Sequence, residues 1–305
     1  MSSRTDSLPS PSSADAESIM SRRSASQSEW KIVLRQLRRN RAAMIGGLIL
    51  LFEVLLAVAA PVVAPYDPFD QNPRAALQAP SGDHWMGTDD TGRDLMSRII
   101  WGARISLRVG IISVLIGGGG GILLGVIAGF RGGWVDNVIM RGMDLLLAFP
   151  GILLALGIIA ILGPGLNNVM LAVGISSIPA YTRVARGSTL ALREREFVTS
   201  ARAIGARDGR IMLRYILPNV LPPLVVLATL GIAGAILTAA GLSFIGLGAV
   251  PPTPEWGAIL TLGRKYINQA WWYTTFPGVA IMITVLGINM LGDALRDALD
   301  PKLRR

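Results

Sequence analysis

Five stretches of the sequence are too long, too apolar and too poor in charge to form the interior of a water-soluble fold. Residues 109–130, 145–182, 219–254 and 266–292 contain no Asp, Glu, Lys or Arg, and residues 42–64 contain Glu53 alone. A hydrocarbon core about 30 Å thick is crossed by about 20 helical residues. Backbone polar groups find no water there, so a spanning segment must satisfy them internally, as a helix does. The stretches therefore predict an all-α integral membrane protein. Charged residues make up 16% of the chain, against about 25% in an ordinary soluble domain. With no Cys, disulfides and thiolate chemistry are excluded. The single histidine, His84, lies in a polar loop whose spacing offers no set of metal ligands, so no metal site is expected.

Five stretches do not mean five helices. The run 145–182 is punctuated by "GPGLNN" at 163–168, where Gly and Pro mark a turn. The run 219–254 ends in "GLSFIGLGAVPPTP", which reads as an interfacial or re-entrant piece. Six spans are expected, near 42–64, 107–130, 143–162, 166–182, 220–241 and 272–292. Basic residues then set direction. Lys31, Arg35, Arg38, Arg39 and Arg41 precede the first span, and eight Arg between Arg183 and Arg214 separate the fourth from the fifth. Residues 65–98 are the reverse, with six Asp and three Arg. An even number of spans and the bias of Lys and Arg toward the cytoplasm both place the N and C termini there. Residues 1–41 read as a disordered, basic cytoplasmic tail, Ser-rich over 1–29, and 65–104 as an extracytoplasmic loop. "AVAAPVVAP" after the first span resembles a cleavage site, but that span lies too late and is too long for a signal peptide, so an uncleaved anchor is expected. Residues 105–305 form the core domain, with a charged cytoplasmic loop at 183–218.

Within that loop, "EFVTSARAIGARDGRIMLRYILPNV" places Phe197, Ala201 and Ile204 at helical spacing before Gly205. Ile211, Met212, Tyr215 and Ile216 follow among arginines, and Pro218 marks the expected start of the fifth span. The pattern predicts helix, turn, helix beneath the membrane. Two uses fit it: a basic amphipathic loop resting on anionic headgroups, or a glycine-centred tip seated in a cytoplasmic partner. In span two, Gly117, Gly121, Gly125 and Gly129 recur every fourth residue and predict a close helix–helix seam, with a flexible pore lining as the other reading. Only Glu53 brings an ionisable group into a span, so an ion-coupled carrier is poorly provided for. Trp271 and Trp272 read as interfacial belt aromatics, and Arg296 can pair with Asp300 one helical turn on.

The charged stretch resembles the cytoplasmic loop signature of binding-protein-dependent ABC importer permeases. Thr199, Ser200 and Ala201 stand at its Glu-Ala-Ala positions, Gly205 at its glycine, and Leu217 and Pro218 at its closing Leu-Pro. Thr at the first position is a departure, with Glu196 about one turn earlier. "PYDPFDQNP", "HWMGTDDTGRDLMSRIIWGARISLRVG", "LLLAFPGILLALGIIAILGPG", "GLSFIGLGAVPPTPEWGAIL" and "FPGVAIMITVLGINMLGDALRDALDPKLR" add, in order, a likeness to the C-type subunit of the dipeptide/oligopeptide/nickel permease family. The likeness covers about 65–305.

The resemblance implies a type I ABC importer permease fold in a bacterial cell membrane and a role as half of a pore. It implies a B-type homologous permease, two cytoplasmic ATPase subunits carrying ATP and Mg, an extracytoplasmic solute-binding protein, membrane lipid and a peptide substrate as partners, with no nucleic acid. The chain itself has no Gly-x-x-x-x-Gly-Lys-Ser/Thr phosphate loop, so it is not expected to be an enzyme or to hold a cofactor. Coupling to the ATPases is expected from Glu196, Ser200, Ala201, Ala203, Ile204, Gly205, Ala206, Arg207, Asp208 and Pro218. Asp89, Asp90, Gly92, Arg93 and Asp94 before span two, and Glu255 with Trp256, fit either local capping and Asp–Arg pairing or docking and gating at the outer mouth. Nickel, glutathione-like and opine-like solutes are alternatives to peptides. A secondary carrier or a membrane assembly protein are the competing classes; the first needs a buried coupling site, and the second leaves the ordered motifs unexplained.

Overall fold

The computed structural model describes residues 35–299. The Ser-rich tail 1–29, Asp300 of the expected Arg296–Asp300 pair and the basic C-terminus therefore lie outside the described residues. After a helical stretch at 35–39, ten α-helices follow among the described residues. α1 is Arg41–Val63, and the side-chain Oδ1 of Asn40 at its N-cap accepts from the backbone N–H groups of Ala42 and Ala43 at 2.9 and 3.3 Å. α2, Leu95–Arg131, is capped by Asp94 on the Ser97 N–H at 2.7 Å and ends at Gly132, whose φ is +64°. α3 is Gly133–Leu147 and α4 is Gly151–Leu162. α5 is Leu166–Arg193, α6 Glu196–Ala203 and α7 Asp208–Ile211. A π-helical turn, Met212–Ile216, joins α7 to α8, Leu217–Phe244. α9, Trp256–Gly263, and α10, Trp272–Leu299, complete the order.

Among the described residues four helices are long and apolar enough to cross a membrane: α1, α2, the continuous helix Asp208–Phe244, and α10. The α3–α4 pair passes only when taken together, and it bends by 89° at its break. Pro150 explains the break, because it supplies no N–H and disfavours helical backbone at Phe149 before it. The expected third span is thus jointed. The expected fourth span falls on the first part of α5, a helix that is not among those apolar enough to cross, since its later turns carry Arg183, Arg186 and Arg193. Pro218 lies in the first turn of α8, as expected at the start of an element, although the preceding segment is also helical. The π turn carries the Leu217 N–H to the Met212 carbonyl, and the helix runs through Pro218 without a stop.

Packing fixes the direction of each helix. Gly117, Gly121, Gly125 and Gly129 of α2 face Ser177, Tyr181, Ala185 and Thr189 of α5 in the same order, so α2 and α5 run parallel. The α3–α4 pair therefore returns the chain from one side to the other. α8 is antiparallel to α2, with Gly110 beside Ile236 and Gly231 beside Val114. α1 is antiparallel to α10: Gly46 lies against Gly287, and Glu53 accepts a hydrogen bond from Thr284 at 2.8 Å. Glu53 thus faces the helix bundle, buried to 7% exposure, rather than a headgroup region.

Three buried clusters result. One joins α1, α2, α8, α9 and α10. A second, with Ile159, Val169, Val173 and Leu242, joins α4 and α5 to α2 and α8. The third anchors the charged loop on the ends of α2 and α5.

Candidate functional site

The charged loop folds as a hairpin of α6 and α7. Gly205 sits at its tip with φ +81°, a backbone region that favours glycine. Its N–H reaches the Arg202 carbonyl at 2.9 Å, and the next N–H, of Ala206, reaches Ala201 at 3.0 Å. This pair of bonds is a Schellman cap, which closes α6 and reverses the chain. Val198, Ala201, Ile211 and Ile216 point inward, packed with Val126 and Phe130 of α2 and Ala185 of α5. Arg202 lies over the Phe130 ring, 5.2 Å from its centre.

The expected contact residues divide on this frame. Glu196, Ser200, Ala203, Ile204, Gly205, Arg207 and Asp208 are exposed, and Ala206 is half-buried. Ile204 is 82% exposed although it is a large apolar residue. Ala201 is nearly buried and reaches this surface only at the wall of the groove beside the tip. At 3% exposure it closes the hairpin from within, because its carbonyl and methyl belong to the cap. Pro218 is exposed, but on the helix beyond the hairpin. Beside the tip, Leu192, Glu194, Phe197, Ile204 and Tyr215 line an open groove of about 990 Å³. Among the described residues Arg202, Arg207, Arg210 and Arg214 form no ion pair, whereas Arg186 is held by Asp136 at 2.5 and 2.7 Å and Arg183 by Asp144 at 2.7 Å. The hairpin therefore presents an apolar tip among exposed acids and arginines, and among the described residues Arg207, Arg210 and Arg214 have no acidic partner.

The glycine row of α2 lies buried against α5. A methyl group on Gly121 would stand 2.5 Å from the Tyr181 Cβ, and one on Gly125 would stand 2.6 Å from the Ala185 Cβ.

Between α2, α4, α5 and α8 lies a hollow of about 300 Å³ that includes Ser113, Ser176, Ser177, Tyr181 and Thr238. Every one of these hydroxyls donates to a backbone carbonyl: Ser113 to Met170 at 3.2 Å, Ser176 to Val173 at 2.9 Å, Ser177 to Gly174 at 2.8 Å, Tyr181 to Leu227 at 3.4 Å and Thr238 to Gly234 at 2.8 Å. The surface left to the hollow is uncharged and consists of lone pairs, small residues and aliphatic carbon. Sequence reasoning missed these residues. Isolated Ser and Thr in spans with no charge to fix their rotation give no signal of which face they share.

On the side remote from the hairpin, the expected outer-mouth residues are mostly buried. Asp89 accepts from the Arg93 Nε–H at 2.6 Å, from the Thr91 and Arg93 backbone N–H groups at 2.8 and 2.9 Å, and lies 3.5 Å from Arg98 Nε. Asp94 accepts from the Ser97 N–H and hydroxyl and lies 2.9 Å from His84 Nδ1. Arg98 donates to the Pro68 carbonyl at 3.0 Å and the Pro252 carbonyl at 3.3 Å, and Asp90 accepts from the Tyr273 hydroxyl at 2.9 Å. Gly92, with φ +78°, lets the turn pass the Asn72 backbone. Glu255 caps α9 through the N–H groups of Gly257 and Ala258, while burial pushes its carboxyl above the usual carboxylate range. Trp256 donates to the Ile99 carbonyl at 3.0 Å. Trp272, expected in an interfacial belt, is buried at 6% exposure beneath this loop and reaches the Thr88 carbonyl, whereas Trp271 is 54% exposed. The polar groups of this region are thus engaged mainly with one another. Among the described residues, no three His, Asp or Glu side chains come together as a metal site would require.

The comparisons with known proteins enter on this geometry. The family model for binding-protein-dependent transport system inner membrane components matches residues 121–305, and the model for the N-terminal TM domain of oligopeptide transport permease C matches residues 28–80. The dipeptide transport system permease protein DppC of Alkalihalophilus pseudofirmus is 48% identical over 277 residues, covering 91% of each chain. The di/tripeptide transport system permease protein DppC of Pseudomonas aeruginosa is 49% identical, covering 87% of this chain and 89% of that one. The glutathione transport system permease protein GsiD of Pectobacterium atrosepticum is 48% identical, covering 90% and 92%. Among solved structures, an inward-facing conformation of the MetNI methionine ABC transporter matches 68% of this chain and 98% of its own with a TM-score of 0.55 at 22% identity, a likeness of fold alone.

Proposed function

The chain belongs to the binding-protein-dependent transport system inner membrane component family, as a C-type permease subunit of the peptide group, and from that membership we propose that it forms half of the import path for dipeptides or short oligopeptides. It is a multi-pass protein of a bacterial inner membrane, and as a permease subunit it does not itself hydrolyse ATP. The other half of the path is a homologous B-type permease. Two ATPase subunits, carrying ATP and Mg, engage the hairpins, and a solute-binding protein delivers cargo on the opposite side. The chain crosses six times, with α3–α4 and α5 as the third and fourth passes and both termini cytoplasmic.

The observation that carries this reading is the hairpin tip. Ile204 and Gly205 stand clear of the rest of the chain, and no atom within 4 Å would meet a methyl group added to Gly205. An exposed apolar residue on a rigid glycine turn, beside unpaired arginines, suits a groove on an acidic partner better than it suits water. The hollow between α2, α4, α5 and α8 is this chain's share of the pathway. Its uncharged, acceptor-rich surface offers a peptide many weak contacts and no tight site, which suits transit. The buried polar groups around Asp89 and Arg98 hold the outer loop in shape, and any docking there uses the loop's exposed face.

Glutathione-like peptides are a second reading, because GsiD relatives match as well as DppC relatives do. The test uses the reconstituted complex with its binding protein and compares Gly205→Asn with Gly205→Glu. Asn tolerates positive φ, so Gly205→Asn keeps most ATP-driven uptake. Gly205→Glu loses it while still reaching the membrane. Normal uptake by Gly205→Glu would remove the coupling assignment. Mass spectrometry of solute carried by the co-purified binding protein separates dipeptide from glutathione.

A further inference from the structure

Two arginines on the side remote from the hairpin have no part in the reading above. Arg104 and Arg108 lie four residues apart on α2, hence on one face, and both are exposed. Among the described residues neither forms an ion pair, and the Arg104 guanidinium lies over the Trp101 ring, 5.8 Å from its centre. The one acid of α1, Glu53, is turned away toward Thr284 of α10. The two cations border a groove of about 350 Å³ between α1 and α2, whose other walls include Val54, Ala57, Val58, Ile111 and Ile112.

Their depth follows from helix geometry. The uncharged run 109–130 extends about 33 Å as a helix, at 1.5 Å per residue, and so matches a hydrocarbon core about 30 Å thick. Arg108 therefore borders the hydrocarbon, and Arg104 lies about 6 Å further out, among headgroups. Ile111, Ile112 and Val54 lie deeper. The groove thus descends from a cationic mouth into an aliphatic slot. Positive charge here also runs against the expected bias, since this side is the acidic one, so the arginines do not serve orientation.

We propose that the α1–α2 groove binds an anionic phospholipid of the leaflet remote from the hairpin. The phosphodiester is held by Arg104 and Arg108, and an acyl chain lies along Val54, Val58, Ile111 and Ile112. Guanidinium groups match phosphate oxygens in geometry and charge. The flank of α1 beside the groove is open, with Val58 71% and Val62 88% exposed. Only a ligand with both a phosphate and an aliphatic tail uses both parts of the groove. An acidic side chain from the neighbouring permease would use the cations and leave the slot empty.

The test takes the whole importer complex, wild type and Arg104→Gln/Arg108→Gln, from nanodiscs of phosphatidylcholine with a minor share of phosphatidylglycerol. Native mass spectrometry then counts the retained lipids. Wild type is expected to retain phosphatidylglycerol preferentially, and the double variant to lose that preference by about 30-fold, two basic groups near the surface each contributing about fivefold. Val58→Trp, which fills the slot and leaves both cations, is expected to release the lipid as well. Equal phosphatidylglycerol retention by wild type and either variant overturns the proposal. So does loss of the neighbouring permease from the double variant with lipid retention unchanged, which would assign the arginines to a protein contact.

Discussion

Two glycines in one run of α2 predict opposite responses to the same small change. Gly121 faces α5, and a methyl group there would stand 2.5 Å from the Tyr181 Cβ, 2.7 Å from the Ile178 carbonyl oxygen and 3.0 Å from the Thr182 nitrogen. Ordinary contact begins near 3.4 Å, so about 1 Å of separation is required, and two of the three obstacles are backbone that no rotamer change can move. Separating the helices also loosens the contacts at Gly117 and Gly125 on either side, and a radial gap of 0.5–1 Å forfeits about a quarter to a half of each dispersion contact. Overpacking of this kind costs about 1–3 kcal/mol. Gly119, two residues away, has nothing within 4 Å of the same methyl position. There the substitution meets no clash and brings the helix preference of Ala over Gly, up to about 1 kcal/mol. Thermal unfolding of the purified chain in detergent, followed by loss of the monodisperse chromatographic peak, measures both. Gly121→Ala is expected to melt several degrees below wild type, and Gly119→Ala at or above it. Equal shifts for the two, or an unchanged Gly121→Ala, would refute a close-packed α2–α5 seam.

Further outcomes follow from other buried contacts. Arg98→Met removes the donor to the Pro68 and Pro252 carbonyls and leaves Arg93 as the one cation beside Asp89; it is expected to cost about 3 kcal/mol, toward the low end for a broken buried pair. Limited proteolysis should then cut within residues 65–94, and an uncut loop would count against the brace. Thr284→Val leaves the buried Glu53 carboxyl without its hydroxyl partner, at a cost of about 1–3 kcal/mol. Adding Glu53→Leu should restore most of the loss, because removing both partners of a buried pair is nearly neutral; a double variant less stable than Thr284→Val alone would refute the pairing.

The four long apolar helices were legible because charge is nearly absent from them, whereas the expected third span is bent and the expected fourth, on α5, is not apolar enough to qualify. The hairpin was legible because Gly205 interrupts two short amphipathic stretches. The α2 glycines were legible as a seam from their spacing, although the sequence could not name α5 as the helix they meet or show that the two run parallel. Three features were not legible, each for a physical reason. The 89° break before α4 falls at Pro150, yet Pro222 and Pro223 lie inside α8, so a proline in the sequence does not by itself say whether a helix will break. The hydroxyls of the hollow come from three helices, and their common face is set by how those helices rotate against one another. The polar residues near Asp89 lie close in sequence, but their partners Pro252 and Tyr273 lie more than 150 residues away.

The same packing decides where a motion of the hairpin can go. Val198, Ala201 and Ile211 bind the hairpin to the ends of α2 and α5, and the α2–α5 seam leaves no room for sliding, so these elements move as one body. The continuous helix Asp208–Phe244 leaves the same hairpin but contains the π turn together with Pro218, Pro222 and Pro223. Each proline removes a backbone hydrogen bond, and helices bend at such places. α4 is set apart from α3 by its own break. The hollow is therefore bounded by α2 and α5, which the glycine seam holds together although α5 carries Pro179, and by α4 and α8, each with a break or prolines of its own. On the coupling role proposed for Gly205, a partner that displaces it moves the α2–α5 pair first, and the breaks in α4 and α8 take up the difference. Such a displacement changes the width of the hollow while the glycine seam and the outer brace stay intact, which is the mechanical property a pore half driven from outside its own chain requires.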